Sequence, residues 1–293
     1  MVKKCVIVVS VLMFLTFISC VYLNRPYDSV DSPSDKGIVV FKDSKNHLIP
    51  ITIDMLNTDS FLQTIYNKID FMKSDQWVND GLIPVLDESF EILSLSVENQ
   101  HIDMHIYTSL SHDCYLELIE SLNCLIKDVI DLYTLDVYFY SQSDLKSPLI
   151  HSYHGLNKEL GMNNFIDYSL YLHDSQSVEI YKEIQINKRL YMYPQTYRVN
   201  THQGLYETVN FTLNKIDQSI ILKDVYEDGY GLTIEIEGKV LNDNEKMNLN
   251  IENMIILSLR SIDDYQYIRI LSNGENVRNH SDINITINYF KIT

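Results

Sequence analysis

The feature that most constrains this chain is a small strand–helix unit that its apolar pattern spells twice. The first copy opens with the alternating run Phe90-Glu-Ile-Leu-Ser-Leu-Ser-Val97. A polar turn leads to Ile102-Asp-Met-His-Ile-Tyr107, an amphipathic stretch over 113–132 and the run Leu135-Asp-Val-Tyr-Phe-Tyr140. The second copy runs Ile220-Ile-Leu-Lys-Asp-Val225, a Gly-containing turn, Gly231-Leu-Thr-Ile-Glu-Ile-Glu-Gly238, a helical stretch over 249–261 and Tyr265-Gln-Tyr-Ile-Arg-Ile270. A period of two marks strands and a period near 3.6 marks helices, so both copies read hairpin, helix, strand. A repeated unit of this size points to duplication of a binding or assembly module. On this alignment Thr233, Glu235 and Glu237 stand opposite His101, Asp103 and His105.

The chain of 293 residues has room for two domains with their own cores. It contains no alanine at all, so its helices form without the best helix former and periodicity outweighs propensity. A formal net charge of −17 argues against nucleic acid as a partner, since its phosphates are held by clustered Lys and Arg. The same charge opposes electrostatic docking on anionic lipid, so any membrane attachment must come from the N-terminus.

There, Lys3 and Lys4 precede an uncharged apolar stretch over 5–23, the pattern of an export signal. Phe17-Ile18-Ser19-Cys20 resembles a bacterial lipobox, with Cys20 as the residue that would be cleaved before and diacylated; Phe17 stands where Leu is usual. The alternative is an uncleaved anchor, because a stretch of this length can cross a bilayer. Either way, residues 24–293 are expected on the extracytoplasmic face. The expected organisation is a signal or anchor over 1–23, a polar tether over 24–36, a first domain over 37–160 and a second over 161–293. Gly155, Gly161, Asn163 and Asn164 mark the boundary. In the first domain 59–73 reads as a helix, with Thr58 or Asp59 as a possible cap. In the second, strands are expected over 165–172, 178–186, 190–199 and 283–290, with a helix over 204–215. Each half is then a mixed sheet covered by two helices, an α+β fold.

These residues resemble the GerMN domain family, which occurs in tandem in GerM-like sporulation and germination lipoproteins. The family's first helix precedes a Gly-Leu/Ile-x-Pro segment, matched by Gly81-Leu-Ile-Pro84. Its later Pro-Leu and Gly-Ile-Asn segments correspond to Ser147-Pro-Leu-Ile150 and Gly155-Leu-Asn157. The strand Ile102 to Tyr107 keeps the apolar alternation but lacks the family's Asn-Phe ending. In the second copy Gly231-Leu-Thr-Ile-Glu-Ile236 is the clearest match, and the resemblance spans about 38–275. It implies a fold related to ring-building motifs of envelope complexes, extracytoplasmic envelope proteins as partners, and no catalytic residues or cofactor.

Chemistry-bearing residues are few. On a strand, His101, Asp103 and His105 share one face, and two imidazoles with a carboxylate could approach one metal ion, with His112 as a fourth donor. The same alternation leaves them simply facing water, opposite the core face of Ile102, Met104 and Ile106, and no metal is expected. Ser111, His112 and Asp113 are consecutive and start a helix rather than form a triad. Asp87-Glu88 and Asp263-Asp264 read as solvated turns. Cys114 and Cys124 sit about 15 Å apart along one helix, at ~1.5 Å per residue, too far for a disulfide. The Asn210, Asn279 and Asn284 sequons read as chance matches in an Asn-rich chain. The chain has 21 tyrosines, and the segment Tyr191-Met-Tyr-Pro-Gln-Thr-Tyr197 is where an aromatic contact surface would lie.

The expected function is therefore a non-enzymatic, membrane-anchored envelope interaction module. The rivals are a solute- or peptidoglycan-binding lipoprotein, and a metal-assisted hydrolase using His101, Asp103 and His105.

Overall fold

A computed structural model describes residues 36–55, 60–98, 101–111, 114–129, 134–140, 149–154, 162–163, 175–238, 240–241, 246–263, 265–279 and 284–290. The export segment, Cys20, the tether, His112 and the expected strand over 165–172 lie outside them. Among the described residues no helix is long and apolar enough to cross a membrane.

The chain opens with β1 (Lys36–Lys42) and β2 (Leu48–Asp54), an antiparallel hairpin of almost wholly buried strands. Helix α1 (Phe61–Lys73) follows, with Ser60 at its N-cap rather than Thr58 or Asp59, and its side chain makes no capping bond. After a short 3₁₀ turn, Gly81 takes a left-handed φ of 80° and closes it, which is why the family-like Gly-Leu-Ile-Pro segment needs glycine there. β3 (Ile83–Pro84) then pairs with β1.

The first repeat comprises β4 (Glu91–Glu98), β5 (His101–Tyr107), α2 (Tyr115–Lys127), β6 (Thr134–Tyr140) and β7 (Leu149–His154). β4 and β5 form the expected hairpin. β5 and β6 are parallel, so the chain must cross over, and α2 is the crossover. A long hairpin of β8 (Ser175–Ile186) and β9 (Arg189–Asn200) leads to α3 (Leu205–Ile216). The second repeat is β10 (Ile221–Glu227), β11 (Gly231–Glu237), α4 (Leu249–Arg260), β12 (Tyr267–Ser272) and β13 (Glu275–Asn276). Its sheet has the same order and the same parallel central pair, β11 with β12.

Both repeats carry a bulge in their first strand. Ile92 pairs with Ile106 and Leu222 with Ile236, and in each case the register shifts at the next step, to Ser94 with His105 and Asp224 with Glu235. Ile106 and Ile236 are thus equivalent, which sets Gly231, Thr233 and Glu235 opposite His101, Asp103 and His105. The alignment read from sequence is two residues out. A slip of two leaves every side chain on its original face, so alternation alone cannot detect it.

One core gathers β1, β2, α1, α2, β5 and β6 through residues such as Phe41, Ile65, Met104, Leu122 and Phe139. A second gathers α3, α4, β11 and β12 through Leu213, Ile234, Ile255 and Ile270. Four buried residues from beyond position 160 join the first core: Met162, Tyr191, Tyr193 and Phe290. The expected C-terminal strand over 283–290 shortens to β14 (Tyr289–Phe290), parallel to β2 in the first half's sheet. Asn288 explains the shortening: its φ of 50° breaks the extended backbone, and its amide nitrogen donates to Pro50 O at 2.7 Å and Met192 O at 2.6 Å. The architecture is α+β, with four α-helices and several small sheets among the described residues.

Candidate functional site

β5 buries Ile102, Met104 and Ile106 on one side and leaves His101, Asp103, His105 and Tyr107 half-buried on the other. The parallel register adds β6 to that face, setting Asp103 beside Asp136 and His105 beside Tyr138. His101 Nε2 lies 3.4 Å from Asp103 Oδ1 and 3.8 Å from Asp136 Oδ2. The ligand-capable atoms of these three side chains all fall within 4.8 Å of one another.

His105 does not join them. Its ring stacks on Tyr138 at 4.2 Å between centroids, and Nδ1 is 2.9 Å from the Tyr140 hydroxyl. The Tyr138 hydroxyl in turn donates to Asp103 Oδ1 at 3.2 Å, so His105 braces the group that orients the carboxylate. The sequence-predicted set of His101, Asp103 and His105 is therefore replaced by His101, Asp103 and Asp136. Asp136 was beyond sequence reasoning because it joins the face only through the β5–β6 register. The strand-length alternation of Asp136, Tyr138 and Tyr140 was the signal available.

The remaining candidates resolve into structure. Asp87 lies in the β3–β4 turn; partial burial works against its charge, but hydrogen bonds from Ser109, Ser89 and Thr108 hold its carboxyl below the usual range. Asp263 follows α4 in a turn, and Asp264 lies outside the described residues. Cys114 is the N-cap of α2, and burial pushes the Cys124 thiol up to about 12, which makes it unreactive at neutral pH. The Asn279 amide is engaged internally, donating to Met247 O at 2.8 Å and to Glu252.

The tyrosine segment is not a contact surface at its start. Tyr191 is wholly buried and Tyr193 nearly so, both in the first core, while Tyr197 packs edge-on against Phe211. β9 lies against β2, which places the Tyr191 and Tyr193 rings between the two halves. The exposed aromatics sit elsewhere, with Tyr226 and Tyr230 at the β10–β11 turn.

Sequence reasoning missed Glu120 on α2, which is buried among apolar residues. Burial pushes its carboxyl up to about 8, despite the Asn163 N–H that donates to Oε2 at 2.9 Å. Oε1 has no partner among the described residues.

No protein-family model and no curated protein matches this sequence. The structure is similar to a solved structure of the tandem GerMN domains of the sporulation protein GerM from Bacillus subtilis. The match has a TM-score of 0.64 at 11% sequence identity and covers 84% of this chain and 94% of that one. The fold of this chain is that of tandem GerMN domains.

Proposed function

We propose that this chain is a non-enzymatic, membrane-anchored extracytoplasmic lipoprotein that works as a protein-interaction module of the cell envelope, in sporulation or germination. The observation that carries this reading is the likeness to the tandem domains of a sporulation protein across 84% of the chain. The lipobox-like segment ending at Cys20 supports the anchor. The placement of chemistry is consistent with it: the two repeats keep their shared backbone and apolar faces while their outer faces diverge, as surfaces fitted to different partners do.

Two experiments test the reading. Crosslinking in the native cell, followed by identification of the captured proteins, should recover extracytoplasmic envelope proteins. Recovery of none, with peptidoglycan fragments binding the purified chain, would replace it with a glycan-binding role. For the anchor, Cys20→Ala should abolish lipid labelling and release the protein; unchanged membrane retention of a chain that never carried label would establish an uncleaved span.

A further inference from the structure

We propose that His101, Asp103 and Asp136 form a binding site for one zinc-like divalent cation on the outer face of the first repeat. Four observations converge on it. First, the donor set is mixed, one imidazole nitrogen and two carboxylates, the chemistry that suits zinc and its neighbours. Second, the separations fit. Ligands bonded to zinc at about 2.0–2.1 Å in a tetrahedron stand roughly 3.3–3.4 Å apart; His101 Nε2 lies 3.4 Å from Asp103 and 3.8 Å from Asp136. Third, Asp136 Oδ1 is buried and accepts no hydrogen bond among the described residues, and an unmatched carboxylate oxygen costs stability that a cation relieves. Fourth, β4, β5 and β6 contain no Lys or Arg, so no fixed cation on these three strands balances the two carboxylates.

The second repeat supplies an internal control. Asp103 pairs in register with Asp136, and the equivalent Thr233 pairs with Arg269. Where the first repeat sets a second carboxylate, the second sets a guanidinium, and Gly231 stands in place of the imidazole. Glu235, the nearest carboxylate on β11, is used to accept from the Gly274 N–H at 3.0 Å. One copy thus carries its own positive charge on this face and the other is built to take one from solution. The Tyr138 hydroxyl donates to Asp103 Oδ1, the oxygen that faces His101, and so orients that ligand atom, as outer-layer partners do in metal sites. Three protein donors leave the remaining coordination positions to water.

The test is zinc binding to the full-length chain in detergent, measured by titration calorimetry and by metal content after dialysis. One zinc per chain, bound saturably, is expected, with an equal concentration of calcium failing to displace it. His101→Ala and Asp136→Asn should each weaken binding by about tenfold or more, and Tyr138→Phe by less. Asp136→Arg, which copies the second repeat, should abolish binding while leaving the metal-free protein folded with an unchanged or higher Tm. That variant keeps the test decisive if the others prove unstable. Absence of saturable zinc binding overturns the proposal. So does zinc binding that survives in both Asp136→Asn and Asp136→Arg, or a site that calcium fills in preference.

Discussion

On its outer sheet face the first repeat carries His101, Asp103 and Asp136, and the second places Gly231, Thr233 and Arg269 at the same three positions. Inside, the contrast reverses. The second repeat's buried acid, Glu252, is fully matched: Arg278 Nε donates to Oε1 at 3.2 Å and the Asn279 N–H to Oε2 at 2.8 Å, while Arg278 Nη1 reaches Ile268 O at 2.6 Å. The first repeat's buried acid, Glu120, has one oxygen matched by a backbone N–H and the other by nothing among the described residues. Topology, bulge and parallel crossover are held in common. The lesson is that duplication preserved the apolar scaffold, and each copy then settled its charges separately.

The sharpest way to break this comparison is to unmatch the acid that is matched. Arg278→Met leaves Glu252 buried without its cation and should cost about 3–5 kcal/mol, read from urea unfolding. The double replacement with Glu252→Gln should recover part of that loss. A cost below about 1 kcal/mol for the single change would show that Glu252 escapes to water or takes a proton, and the contrast with Glu120 would collapse.

Glu120→Gln should act in the opposite direction. The folded carboxyl titrates near 8 against an ordinary 4.5, so the folded state binds the proton more tightly than the unfolded state. That contribution to stability is fully present below about 4.5 and is lost as pH rises through about 8, a loss of order 3–5 kcal/mol. The variant cannot ionise. Its urea midpoint should exceed the wild type's above about pH 8, and the fall between the two pH values should flatten. An unchanged pH slope would mean that Glu120 is solvated after all.

The repeats were legible in sequence because each buries one face of its strands, and a buried face imposes a period that composition bias cannot hide. The same physics set the limit. Alternation fixes which side chains share a face but not which residue stands beside which, so the sequence groups His105 with His101 and aligns the second copy two residues out. Asp136 joined the site through a parallel pairing separated by a whole helix. The Ile283 to Ile287 alternation reads as one strand with Tyr289 and Phe290, but the left-handed backbone at Asn288 separates β14 from the residues before it. The sequence leaves Tyr191 and Tyr193 open between a contact surface and ordinary strand packing, because aromatic strands serve cores and interfaces equally well. In this fold they fill the first core.

Gly231 sharpens the comparison at the level of one Cβ. In the first repeat the equivalent His101 has room for a side chain; in the second the Tyr267 ring lies over Gly231, so an added Cβ would fall 2.1 Å from Tyr267 Cζ. Gly231→Ala must push the ring away and should cost about 1–3 kcal/mol by urea unfolding. Most of that cost should vanish when the same change is made alongside Tyr267→Ser. If it persists, the backbone rather than the ring demands glycine.

The smallest expected difference concerns surface ion pairs. Lys42 Nζ meets Glu117 Oε2 at 2.8 Å and ties β1 to α2, and Lys223 Nζ meets Glu237 Oε2 at the same 2.8 Å across the β10–β11 hairpin. Distance therefore cannot separate them, and exposure must. The first pair's side chains are 19% and 13% exposed, the second's 46% and 50%. Water and salt screen the second pair more completely, and two long side chains free in solvent lose more entropy on pairing. Double-mutant cycles to alanine should give a coupling of roughly 0.5–1 kcal/mol for Lys42 with Glu117 and below about 0.5 kcal/mol for Lys223 with Glu237. Raising the salt should erase the second and leave part of the first. Equal couplings, or equal sensitivity to salt, would show that the hairpin in solution holds Lys223 and Glu237 as firmly as the α2 contact holds Lys42 and Glu117.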